Sequence, residues 1–250
     1  MLPAKKVGLM DPVLFIVVIS VLGPVIGSLI GVLKRFSFPY ICNMLCFAAG
    51  VMLGISFLEL IPESLRLASI SLSVLGLIVG AFLMYTLDRL IPHIHPRLCT
   101  QEQGCNLERT ATFLVFGIFM HNFPEGMAIA VGSVIEPKVS LVIAIALAIH
   151  NIPEGICTSA PYFHTTGKRL KSFLLSSSTA LPILGGYLFA RYIFGEMSPS
   201  VMGIIIAGTA GLMIYITADE LIPNACIGEN HLTISSLMAG IILVMLLGGI

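Results

Sequence analysis

Eight apolar stretches follow one another along the 250-residue chain, at about 12–33, 40–62, 70–91, 110–134, 139–163, 172–194, 201–222 and 232–250. Each is close to the roughly 20 residues that an α-helix needs to cross a bilayer. The connections are short, except for 92–109, which carries His93, His95, Cys99 and Cys105. The pattern predicts an all-α membrane protein of eight transmembrane helices, numbered here spans 1 to 8, in one transmembrane domain over residues 1–250. The first stretch is long enough to span and ends at Lys34-Arg35. It reads as a retained helix rather than a cleaved signal peptide.

Composition supports this reading. Hydrophobic residues make up 57% of the chain and charged residues 10%, with a mean hydropathy of +1.01. A soluble domain carries about 25% charged residues, so no soluble domain of useful size fits beside the spans. The formal net charge is zero, and nothing points to nucleic acid as a partner. Cys42, Cys46, Cys99, Cys105, Cys157 and Cys226 fall in spans or in the connections between them and form no secreted disulfide framework.

An even number of spans puts both termini on one side. The connections after spans 1, 3, 5 and 7 carry Lys34, Arg35, Arg89, Arg97, Arg109, Lys168, Arg169 and Lys171. The opposite side carries Lys5, Lys6, Arg66, Lys138 and Arg191. The larger basic set marks the cytoplasmic side. Both termini are then extracytoplasmic, and the expected location is the cell membrane.

Two polar motifs interrupt this apolar background. His121-Asn122-Phe123-Pro124-Glu125-Gly126 lies in span 4, and His150-Asn151-Ile152-Pro153-Glu154-Gly155 lies in span 5. A histidine and a glutamate four residues apart share one helix face. A charge at the bilayer centre costs roughly 3 kcal/mol or more, so such residues mark ion or substrate sites by default. Imidazole nitrogen and carboxylate oxygen suit Zn²⁺ and its first-row neighbours. Asparagine adds a weak neutral oxygen. Without thiolate the site binds loosely, as it must if the ion is to leave again. Pro124 and Pro153 lack an N–H, which withdraws the helical donor from the carbonyls of Met120 and Ile149.

A second repeat is shorter. Glu59-Leu60-Ile61-Pro62 closes span 2 and Glu220-Leu221-Ile222-Pro223 closes span 7. These spans run in opposite directions, as an inverted-topology repeat requires, with spans 1–3 answering spans 6–8. Gly23/Gly27 and Gly76/Gly80 suit close helix approach.

At the twin motif the chain resembles the ZIP family of divalent metal transporters, in its compact prokaryotic-type branch. The resemblance covers nearly the whole chain. It implies a 3+2+3 helix arrangement, with Zn²⁺, or else Fe²⁺ or Mn²⁺, as the transported ion, carried into the cytoplasm without an organic cofactor. Carried over by motif, His121, Glu125, His150 and Glu154 hold the main ion. Asn122 and Asn151, with the same glutamates bridging, line a second position. Relatives with that position often have a further glutamate before a proline in span 6, where this chain has Leu181-Pro182. That departure leaves the second ion open. A homodimer is implied by resemblance only, and lipid is the surrounding partner.

The remaining acids suggest a path, with Glu59 and Glu63 as outer stations and Asp219 and Glu220 as inner ones. Glu63 equally suits an ordinary interfacial acid. His93, His95, Cys99 and Cys105 match no standard zinc spacing, and their loop reads as solvated. Cys42, Cys46 and Cys157 read as packing residues. The competing reading is an intramembrane zinc-dependent hydrolase. It lacks a His-Glu-x-x-His motif and a general base separate from the ligands. A metal sensor lacks a signalling domain.

Overall fold

The structure is a computed structural model that describes residues 12–34, 36–90, 115, 119, 122–130, 137–194, 198–225 and 231–248. No strand occurs among the described residues, and seven of their helices are long and apolar enough to cross a membrane. Span 1 is Pro12–Leu33 and span 3 is Ile70–Leu90. Span 5 is a 30-residue helix, Pro137–Thr166, and span 8 is His231–Gly248. Span 4 is represented by the helical run 122–130.

Three spans change helix type on the way. Span 2 is α-helical over Phe38–Gly54, π-helical over Ile55–Leu60 and α-helical again over Ile61–Leu67. Span 7 repeats the sequence of types, with Pro199–Ile216, a π-turn at Thr217–Leu221, and Ile222–Ala225. Span 6 runs Arg169–Ser177, a 3₁₀ turn at Ser178–Ala180, and Leu181–Phe194.

These details correct two expectations. Pro62 and Pro223 do not close their spans. A π-turn precedes each, so the missing proline N–H falls where the hydrogen-bond ladder is already shifted. The chain then remains helical to Leu67 and Ala225. Span 5 likewise continues through Pro153 as an unbroken helix, so its irregularity amounts to a missing bond and not an unwound segment.

Packing relies on glycine. Apolar lipid offers helices no hydrophobic incentive to associate, so close backbone approach has to supply the contact energy. A Cβ added to Gly27 would overlap the Ile152 carbonyl, and one on Gly155 would lie 2.5 Å from the Pro24 oxygen, so spans 1 and 5 touch backbone to backbone. Spans 4 and 6 do the same, with Gly126 against Ile183 and Gly186 against Phe123. Spans 3 and 7 meet at Gly80 and Gly208, and at Gly211 and Leu77; spans 2 and 8 meet at Gly50 and Leu237, and at Gly240 and Phe47. Exchanging spans 1–3 with 6–8 turns each pairing into another member of the set. Gly50 corresponds to Gly211 and Gly80 to Gly240, each facing the equivalent backbone. The inverted repeat therefore holds in the packing as well as in the short Glu-Leu-Ile-Pro match.

Adjacent glycines in span 6 test this. A methyl group at Gly186 would overlap the Phe123 carbonyl, whereas one at Gly185 would lie 3.9 Å from the Phe123 ring. Gly186→Ala should cost roughly 1–3 kcal/mol through overpacking. Gly185→Ala should be neutral, or stabilising by up to about 1 kcal/mol from helix propensity. Thermal denaturation in detergent of the two variants side by side decides between these outcomes.

Candidate metal centre

The run 122–130 places Asn122 and Glu125 one turn apart on span 4, and span 5 does the same for His150 and Glu154. All four, with Asn151, are buried, none more than 1% exposed. His150 Nε2 lies 3.0 Å from Glu125 Oε1 and 3.7 Å from Glu154 Oε1. One ligand atom from each of Glu125, His150 and Glu154 falls within 4.8 Å of the other two. A tetrahedral ion with bonds of about 2.1 Å holds its ligand atoms about 3.4 Å apart. Small side-chain rotations close the group onto an ion.

Neighbouring contacts orient these donors. His150 Nδ1 lies 3.2 Å from the Ala146 carbonyl. A carbonyl only accepts, so this contact needs a proton on Nδ1 and turns Nε2 toward the carboxylates. A carboxylate also only accepts, so the contact of Nε2 with Glu125 Oε1 needs a proton of its own, at the place a cation would take. Asn151 Nδ2 donates to Glu125 Oε2 at 3.2 Å. Glu125 is thus held at both oxygens, by His150 and by Asn151.

The two asparagines are not equivalent. Asn122 Nδ2 donates to the Thr179 carbonyl in span 6 at 2.6 Å. Its Oδ1 and that of Asn151 are buried without a hydrogen-bond partner among the described residues. Buried amide oxygens normally have partners, so both are suited to meet a cation or a water.

A hydroxyl cluster supports the turn below Glu154. Thr158 Oγ1 donates to the Glu154 carbonyl at 3.0 Å, and the Gly155 carbonyl accepts from Ser159 Oγ at 2.6 Å and Ser176 Oγ at 3.1 Å. Ser176 Oγ also meets Ser28 Oγ at 2.6 Å and contacts Thr158 Oγ1. These bonds join spans 1, 5 and 6. The sequence reading missed the cluster, although the run Ser176-Ser177-Ser178-Thr179 inside an apolar span was its visible signal.

The other expected site residues lie elsewhere. His121, His93, His95, Cys99, Cys105 and the Glu220 side chain fall outside the described residues. Glu59 is partly buried in its π-turn, with Oε1 beside Gly248. Glu63 is paired with Arg66 at 3.4 Å, and Arg66 is 79% exposed. Such a pair contributes at most about 1 kcal/mol. Asp219 is partly buried in the second π-turn. None of the three joins the central group among the described residues. Leu181 is 65% exposed and points away from the bundle. The part of span 6 that faces Asn122 is the Thr179 carbonyl, because the 3₁₀ turn changes the helical register just before Leu181. A carboxylate placed at Leu181 would therefore point outward. Cys42, Cys46 and Cys157 are buried thiols, in keeping with packing.

The family model for the ZIP zinc transporter matches residues 4–108 and 96–248. The chain belongs to the ZIP zinc transporter family. A zinc transporter ZupT of Chlorobium chlorochromatii (strain CaD3) is 35% identical over 241 residues, covering 87% of this chain and 89% of the relative. Those of Enterobacter sp. (strain 638) and Salmonella newport (strain SL254) are 36% and 38% identical over 209 residues, covering 80% of this chain and 81% of each relative. As a ZIP member the chain is an integral membrane transporter of divalent metal cations and not an enzyme.

The hydroxyl cluster gives a stability prediction. Ser176→Ala removes the oxygen at which Ser28 and Thr158 meet. Stability in detergent should fall by about 0.5–1.5 kcal/mol, the net contribution of a buried hydrogen bond, since Ser28 and Thr158 keep their bonds to the Pro24 and Glu154 carbonyls. The number of metal ions bound per chain should not change, since no ligand is touched. Denaturant titration and equilibrium dialysis measure the two quantities separately.

Proposed function

We propose that the chain carries Zn²⁺, with Fe²⁺ and Mn²⁺ as weaker alternatives, into the cytoplasm through a centre formed by Glu125, His150 and Glu154, completed by His121. The observation that carries this reading is the convergence of two carboxylates and one imidazole from two spans at full burial. Two carboxylates balance one divalent cation, so the loaded centre is far less costly to bury than an uncompensated charge pair. Oxygen and imidazole donors without thiolate favour a site that also releases its ion.

Asn122 and Asn151 offer their amide oxygens to a second, weaker ion bridged by the same glutamates. Glu59 and Glu63 serve as entry stations, and Asp219 and Glu220 as exit stations. No organic cofactor takes part. The protein resides in the cell membrane with both termini outside, surrounded by lipid, and a homodimer is its expected assembly.

Reconstitution in liposomes with a metal-sensitive dye inside tests the transport reading. The intact protein should give a metal-dependent signal that Zn²⁺ dominates in competition with Fe²⁺ and Mn²⁺. Glu125→Ala and Glu154→Ala should each reduce the rate at least tenfold, while Asn151→Ala, which loosens Glu125 and removes a donor from the weaker position, should reduce it less. A silent intact protein sinks the proposal. Equal rates in both glutamate variants and the intact chain would move the site elsewhere.

Orientation has its own test. Cys99 and Cys105 lie on the basic side of the chain. In intact cells a membrane-impermeant thiol reagent should fail to label them, and permeabilisation should expose them. Labelling without permeabilisation would reverse the orientation.

A further inference from the structure

The start of span 6 carries a groove that the transport site does not use. It is a shallow, open groove of about 820 Å³, lined by Lys168, Arg169, Leu170, Lys171, Leu174 and Ser178 among others. Three cations within four residues flank it, and the chain from Gly155 to Gly195 contains no Asp or Glu. Aromatic rings orient two of the cations. The Arg169 guanidinium lies 5.3 Å from the centre of the Phe163 ring, and Lys171 Nζ lies 5.6 Å from that of Tyr162. Contacts of this kind hold the long side chains near the groove.

The groove is apolar along its other side. Leu170 is 70% exposed and Leu174 is 57% exposed. Four residues apart, they share one face of the helix that begins at Arg169. This helix opens a span, so positive charge at its mouth gives way to hydrocarbon along its length.

A matching occupant is anionic at one end and apolar along the other. We propose that this groove binds an anionic phospholipid, with the phosphate held by Lys168, Arg169 and Lys171 and an acyl chain lying along Leu170 and Leu174. Inorganic phosphate satisfies the cations and leaves both leucines uncovered. An acidic peptide supplies charge without the hydrocarbon that a membrane-level groove calls for. Lipid at this position braces the junction of spans 5 and 6, next to the helix that carries His150 and Glu154.

Native mass spectrometry of delipidated protein, titrated with phosphatidylglycerol or with phosphatidylcholine of the same chain length, tests the assignment. Phosphatidylglycerol should bind preferentially, and its binding should weaken as salt rises. Lys168→Gln, Arg169→Gln and Lys171→Gln should each weaken it by about fivefold, the effect of one surface cation near an anionic lipid. Leu170→Ser with Leu174→Ser should also weaken it, and inorganic phosphate should not compete at equal concentration. Zinc uptake in phosphatidylcholine liposomes checks that each variant is folded. Should a single variant fail that check, the remaining variants and the salt titration of the intact protein carry the same expectation. Equal binding of both lipids, no effect of the three substitutions, or equal competition by phosphate would each overturn the proposal. Displacement by a polyglutamate peptide at equal charge would overturn it in favour of an acidic protein partner.

Discussion

The centre of this protein holds two carboxylates and an imidazole where neither water nor lysine reaches them. Glu125 and Glu154 are each no more than 1% exposed, and the stretches 110–134 and 139–163 that carry them contain no Lys or Arg. A buried ionic group is tolerable only with a partner of opposite charge and satisfied hydrogen bonds. His150 and Asn151 provide part of that satisfaction, and a divalent cation suits the remainder. The surrounding structure keeps these few groups in register. In both motifs the residue after the buried glutamate is a glycine on which another span rests, Gly126 against Ile183 and Gly155 against Pro24. One short segment therefore supplies a ligand toward the centre and a close backbone contact away from it. The hydroxyls of Ser28, Thr158 and Ser176 fix the next turn of span 5 in the same way.

The symmetry of the scaffold follows from the same need for close contact. Spans 3 and 7 meet through glycine, and so do their counterparts 8 and 2. The π-turns at Ile55–Leu60 and Thr217–Leu221 occupy equivalent places, each just ahead of an Ile-Pro step. A π-turn leaves carbonyls off the regular ladder and widens the helix, and such turns are frequent at functional sites. Here they contain Glu59 and Asp219. Three of the four acids proposed as entry and exit stations, Glu59, Asp219 and Glu220, thus lie where these helices are irregular, and Glu63 follows in Ile61–Leu67.

Much of this was legible in the sequence, for identifiable reasons. Span length follows from bilayer thickness, so the C-terminal end of span 1 and the start of span 3 were read to the residue. The twin motif disclosed Glu125, His150 and Glu154 because charge inside an apolar run has few explanations. The proline endings misled. Pro62 and Pro223 read as stops because a stop is what proline means in an ordinary α-helix, and nothing local announces a π-turn. Leu181 misled for a related reason. Aligning a motif assigns a residue to a position in the chain but not to a face of the helix, and the 3₁₀ turn over Ser178–Ala180 changes the face.

The twin motif itself shows how far such a reading extends. Two identical strings suggest two equivalent half-sites, yet their asparagines act differently. Asn151 donates to Glu125 within the centre, while Asn122 donates outward to span 6. The difference arises because span 4 lies against the 3₁₀ turn of span 6, where the Thr179 carbonyl is available, whereas span 5 lies against the regular helix of span 1. Glu125 is therefore held more firmly than a symmetric design would hold it, and Asn122 is tied to a neighbouring span. The proposed centre thus has unequal halves: Glu125 is braced across from span 5 by Asn151, while Asn122 of the same turn is committed to span 6. An ion gripped equally from both sides has no preferred direction of release, whereas unequal halves let it leave where one contact gives way first.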